Sequence, residues 1–132
     1  MSRFDTPPTL AEIDEIARTA MGQLPAAFQQ HLTDLVVAVE EFPDADTMAA
    51  LECDSPFDLL GLYRGVSLDR KSVLDSMAEP DMVFLYRSPI LDYWISTGED
   101  LTHLIRHVMI HEIGHHFGFS DSDMEELEAA AS

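Results

Sequence analysis

The chain has one cysteine, Cys53, in 132 residues. No intrachain disulfide can form, which excludes a small scaffold held by disulfide staples. Positive charge is also scarce: seven Lys/Arg stand against 25 Asp/Glu, a formal net charge of −18 at pH 7. A surface of that sign repels phosphate backbones and anionic lipid, so neither nucleic acid nor a membrane is expected as a partner. No run reaches the roughly 18 apolar residues of a membrane span. The opening "MSRFDTPPTL" lacks the basic-then-apolar order of a secretory leader. An acidic chain with these absences is expected in the cytoplasm. Internal repeats and low-complexity stretches are missing too. The hydrophobic fraction, 46%, suffices for one core, and the length fits a single domain over residues 1–132.

Residues 9–21 predict a first helix. Thr9 and Glu12 have capping-box spacing, and Ile13, Ile16, Ala17 and Ala20 recur at helical intervals. Gly22 and then Pro25 are expected to stop it. A short helical turn at 26–31 precedes a β-branched run, "LVVAVEEF" at 35–42, that reads as a strand. Residues 43–58 are acidic, hold two prolines and show no period, which predicts a loop. Residues 59–69 suggest two short strands or one bulged strand around Gly61 and Gly65. "MVFLYRSPI" at 82–90 is the clearest strand, ended by Pro89. Alternation allows only one of Tyr86 and Arg87 to face a cleft, and structural roles are expected for both. The last main helix is predicted to begin near 96–98, where Ser96/Glu99 and Thr97/Asp100 both have cap spacing, and to run to Phe117. Gly118 is its natural left-handed terminator. The tail "DSDMEELEAAAS" predicts one further helical turn.

Four of the six histidines fall between His107 and Asp121, in "HVMIHEIGHHFGFSD". His111-Glu112-Ile113-Gly114-His115 is an HExxH sequence inside the predicted helix. Residues four apart share a helix face, so the two imidazoles can converge on one metal ion while Glu112 projects beside them without being a ligand. The pentapeptide arises by chance in chains rich in His and Glu, and context sharpens it. Gly118 and Asp121 follow in HExxHxxGxxD register. A positive φ at Gly118 bends the chain back so that Asp121 can supply a third ligand. Asp123, Glu125 and Glu126 are alternatives if the turn runs differently. Three protein ligands leave a position open to water, the catalytic pattern for zinc. His103 and His107 extend the ladder upstream and are expected to form a polar helix face. His116, about 100° around the helix from His115, is expected to pack or hydrogen-bond rather than ligate. Gly114 costs a helix about 1 kcal/mol relative to alanine, and a close helix–strand contact beneath the site would account for it.

The chain resembles the minimal zincin-like metallopeptidases, small bacterial and largely actinobacterial proteins with HExxHxxGxxD. The segments "LLGLYRG", "VFLYRSPI" and "HEIGHHFGFSD" look like that family's in order and near its spacing. The resemblance implies an α+β, minimal zincin-like fold: a small mixed sheet packed on an N-terminal helix and a C-terminal active-site helix. It implies one Zn²⁺ per chain on His111, His115 and Asp121, with Glu112 as general base for hydrolysis of a peptide or protein substrate. It also implies a substrate laid along an edge strand, for which residues 83–87 are the candidate. Larger metzincins carry a methionine turn well beyond the third ligand. Met124 comes only three residues after Asp121, which points to a packing residue and to the minimal form. Two other readings remain open on sequence alone: a zinc-binding regulatory or degenerate protein without turnover, and an acidic interaction module whose histidines are incidental.

Overall fold

The computed structural model describes residues 6–29, 32, 35–65 and 81–131; the predicted strand content at 66–69 lies outside them. Helix α1 (Leu10–Gly22) starts on the expected reciprocal cap: the Glu12 N–H donates to Thr9 Oγ1 (3.1 Å) and the Thr9 N–H to Glu12 Oε1 (2.9 Å). These bonds satisfy donors that the first helical turn otherwise leaves without partners. Its buried stripe is Ile13, Ile16, Ala17 and Ala20. Gly22 is the last helical residue, not a left-handed stop, and Gln23 caps the end at φ −100°. Helix α2 (Ala26–Gln29) follows Pro25 and drives Phe28 fully into the core.

Three strands form a mixed sheet in the order β1-β3-β2: β1 (Val36–Glu40), β2 (Gly61–Arg64) and β3 (Met82–Tyr86). Strand β1 pairs with β3 in parallel, Val37 opposite Val83, and β2 pairs with β3 antiparallel, Tyr63 opposite Val83. A central strand is covered on both faces, and Val83, Phe84, Leu85 and Tyr86 are all buried. This corrects the expectation that residues 83–87 form an edge. Among the described residues the edges are β1 and β2.

Further expectations change. Residues 43–58 are not wholly loop: α3 (Ala45–Ala50) stands on Asp44, whose Oδ1 accepts the Thr47 N–H at 2.7 Å. The helix buries only Thr47, so it leaves no apolar period to read. The strand at 82–90 stops at Tyr86, and helix α4 (Arg87–Thr97) begins at once. Pro89 is its third residue, where a missing N–H costs no helical bond. Arg87 holds this corner by donating to the Pro8 carbonyl (2.6 Å) and to both Glu41 carboxylate oxygens (3.2 and 3.0 Å). Ser88 adds a hydroxyl bond to Glu41 and draws its pKa down, with help from Arg87.

Gly98, at φ +71°, ends α4. The long helix α5 (Leu101–His116) is capped by Asp100, whose carboxylate accepts the His103 N–H at 2.9 Å. Thr97 belongs to the helix before. The tail forms a three-turn helix, α6 (Asp121–Ala131), where a single turn was expected. Helices α1 and α5 pack on each other and on the sheet, α1 against β1 and α5 against β2 and β3. The result is an α+β architecture with one hydrophobic cluster joining Ile13, Ile16, Val83, Leu85, Ile105, Met109, Ile110 and Ile113. No helix among the described residues is long and apolar enough to cross a membrane.

Candidate metal centre

Helix α5 splits by chemistry. Ile105, Val108, Met109, Ile110 and Ile113 are buried in the core, while His103, His107, His111 and His115 repeat every fourth residue on the side away from it. Burial of the first set fixes how the helix rolls, and the roll decides where the imidazoles point. The approach to the sheet is set by Gly61. A Cβ there would lie 2.7 Å from a Val108 methyl carbon and 3.0 Å from the Phe84 carbonyl oxygen.

The helix ends in a two-bond Schellman motif. The Phe119 N–H donates to the Gly114 carbonyl (2.9 Å) and the Gly118 N–H to the His115 carbonyl (3.2 Å), with Gly118 at φ +81°. That reversal lays α6 back against α5. Gly114 serves this contact: a Cβ on it would stand 2.5 Å from Met124 Sδ. The expected helix–strand role for Gly114 is thus corrected to a helix–helix one, and the helix–strand glycine is Gly61. Met124 is fully buried, in the packing role expected of it.

His111, His115 and Asp121 come together, each offering one ligand atom, with all three atoms within 4.8 Å of one another. His115 Nε2 lies 3.4 Å from Asp121 Oδ1. Ligands bound at 2.0–2.1 Å in a tetrahedron stand about 3.3–3.4 Å apart, so this pair already has the separation zinc requires. Two neutral imidazoles and a carboxylate are also the donor types zinc takes in open sites. Burial and the neighbouring His107 lower the His111 pKa, favouring the neutral form a ligand needs, despite the opposing pull of Glu128. Asp123 is turned elsewhere: it exchanges hydrogen bonds with Ser120, the Asp123 N–H donating to Ser120 Oγ and the Ser120 N–H to Asp123 Oδ2, both at 3.1 Å. This box caps α6 and leaves Asp121 free in its first turn. Glu125 and Glu126 are exposed and join no such cluster among the described residues.

Glu112 projects towards the edge of β2, where its Oε1 accepts the Tyr63 N–H at 3.2 Å. Burial pushes its pKa above the ordinary glutamate range, opposed by that hydrogen bond and by His115. Tyr63, unassigned from sequence, is the hub of this wall. Its hydroxyl donates to Asp81 (2.8 Å), and burial together with Asp81 raises its pKa. Its ring stacks on His116 at 3.9 Å and 18°. His116 therefore packs rather than joining either cluster, in a slot so tight that a Cβ on Gly65 would lie 2.6 Å from its ring. Tyr86 is buried with its pKa pushed up to about 12 by desolvation, then by Glu40 and Asp44.

A second missed residue is Glu128 on α6. Its Oε1 sits 2.6 Å from His107 Nδ1 and 3.8 Å from His111 Nε2. Seven residues separate it from Asp121, the interval that returns a helix to the same face. That signal is usable only once the tail is known to be helical.

Residues 32–131 match the zincin-like metallopeptidase family. The chain belongs to that family. Membership carries a zinc-dependent, peptidase-type function in general and implies a zinc cofactor, for which the histidine and carboxylate clusters supply the donors. No curated protein matches the chain.

Proposed function

We propose that this protein is a zinc-dependent peptidase that hydrolyses an extended peptide at the junction of α5 and β2. The observation that carries the reading is the convergence of His111, His115 and Asp121 beside Glu112, which is held against the strand edge. The three would hold a single zinc ion and leave one coordination position for water or substrate. Bound there, zinc supplies Lewis acidity that polarises the scissile carbonyl and brings the pKa of a water from about 15.7 towards 7.

The remaining chemistry belongs to the chain. Glu112 takes the proton of the attacking water on its carboxylate and delivers it to the departing amine nitrogen. The Tyr63 N–H steadies that carboxylate from the strand side. Strand β2 has no strand partner on its outer side among the described residues, where Glu112 accepts the outward Tyr63 N–H, and an edge of this kind suits a substrate in extended form. Between α4 and the upstream half of α5 lies a recess of about 250 Å³, lined by Leu60, Tyr93, Glu99, His103, Leu104 and His107 with Val108, below the 300–1,000 Å³ usual for small-molecule pockets. On this reading backbone pairing along β2 selects the substrate, and narrow activity is expected.

The test is Glu112→Gln in untagged protein, assayed on a peptide library with bound zinc measured in parallel. Loss of cleavage with zinc retained is the expected result. A Gln variant as active as the parent removes Glu112 from the mechanism. A parent that holds one zinc and cleaves nothing is a binding protein without turnover.

A further inference from the structure

Helices α5 and α6 form an antiparallel hairpin whose facing sides carry a ladder: His107, His111 and His115 on one rail, Glu128 and Asp121 on the other. The lower rung is the His111–His115–Asp121 set. The upper rung is His107, His111 and Glu128, whose ligand atoms likewise all lie within 4.8 Å of one another. Its chemistry matches a zinc donor set as well as the lower rung does, two imidazoles and a carboxylate. The His111–Glu128 separation of 3.8 Å and the His107–Glu128 separation of 2.6 Å bracket the roughly 3.3–3.4 Å of tetrahedral ligands, and the two imidazoles offer nitrogens within 4.8 Å of each other. The two carboxylates differ in setting. The Asp121 side chain is 84% exposed, whereas Glu128 is 21% exposed and held inward one turn beyond Met124, the residue that anchors α6 on Gly114. The upper rung is thus the more firmly positioned of the two.

We propose that His107, His111 and Glu128 form a second divalent-cation site that competes with the first for His111. Each set draws one ligand atom from His111, so an ion on the upper rung leaves the lower with His115 and Asp121 alone. One helical turn, about 5.4 Å, separates the rungs along α5. An ion held on the upper rung is displaced by that step from Asp121 and His115, and the enzyme is then loaded but idle. This part of the inference rests on the lower rung being the hydrolytic centre; the existence of the upper site does not.

Zinc affinity, read by competition with a chromophoric chelator, and the visible spectrum of Co²⁺ test the site in full-length, untagged protein. The His115→Ala/Asp121→Asn variant is expected to bind one ion within about tenfold of the parent affinity, with a changed Co²⁺ spectrum. Adding His107→Ala or Glu128→Gln to it should weaken binding by more than about tenfold. His107→Ala alone should keep one ion and hydrolyse as fast as the parent or faster at limiting zinc. Circular dichroism of each variant confirms folding, which these exposed or isosteric changes should spare. The proposal is overturned if His115→Ala/Asp121→Asn binds no more tightly than the same protein carrying His107→Ala. Two ions bound at once overturn the competition. An ion lost with His107→Ala but kept with His115→Ala/Asp121→Asn upholds the upper site and removes the lower-rung reading instead.

Discussion

The two faces of α5 occupy the same 16 residues and answer to different demands. The inner face, with Ile105, Met109, Ile110 and Ile113 all at 0% exposure, is fixed by packing against α1 and the sheet. The outer face carries imidazoles that meet one another and the two acids of α6. The inner face therefore holds the fold, and the outer face is free to hold chemistry. Stability and function should separate along the helix axis, face by face, within single residue steps. Glu112 and Ile113 are adjacent in sequence and should fail in opposite ways.

That separation can be broken by experiment. The largest effect is expected on the outer face. Removal of zinc by a strong chelator, or His115→Ala, should take hydrolysis to background while circular dichroism of the metal-free protein stays unchanged; an unfolded His115→Ala chain would break the comparison. Glu112→Gln follows, lowering turnover by about 10²–10⁴-fold, the span a positioned general base contributes, with zinc content intact. On the inner face, Ile113→Ala should cost about 2–5 kcal/mol of folding free energy in denaturant unfolding. Gly114→Ala should cost about 1–3 kcal/mol, the range for overpacking a filled contact, because its methyl group meets Met124. Alanine's better helix propensity returns about 1 kcal/mol of that, so a Gly114→Ala protein more stable than the parent by this amount would show that α6 is not seated as described.

The smallest effect sharpens the contrast by sign. Burial holds the Glu112 pKa above its unfolded value, so the folded state binds that proton more tightly than the unfolded one. Ionising it costs folding free energy. The cost is absent below the ordinary glutamate pKa of about 4.3, grows as pH rises to the folded value, and is constant beyond. Metal-free Glu112→Gln should therefore melt slightly above the parent at pH 7 and level with it in acid. Thermal unfolding at the two pH values decides this, and a variant less stable at pH 7 refutes it.

Legibility differed between elements for physical reasons. The α1 cap, the β1 run and the body of α5 were readable because local pattern and tertiary burial agree there. Helix α3 and the full length of α6 were not. Helix α3 buries only Thr47 and α6, among its described side chains, only Met124, and their starts rest on the Asp44 and Ser120 caps. The strand-to-helix corner at Tyr86 was hidden because Pro89 reads as a strand breaker and sits equally well in a helix's first turn. In the site, His111, Glu112, His115 and Asp121 stood out by spacing. Tyr63 lies 49 residues from Glu112 with no local interval to mark it, and Glu128 stands a whole hairpin from His107, marked only by its seven-residue spacing from Asp121 once the tail is known to be helical.

The sequence alone determined which atoms are on offer: imidazoles one turn apart, a carboxylate beside them, a glycine able to turn left-handed and an acid just past it. Those follow from helix geometry and backbone sterics, which act over a few residues. Tertiary structure decided what the atoms face. The sheet order made β2 the edge beside Glu112, and the seating of Met124 on Gly114 brought Glu128 to the upper rung. Both choices depend on close packing between distant segments, and such packing has no local pattern.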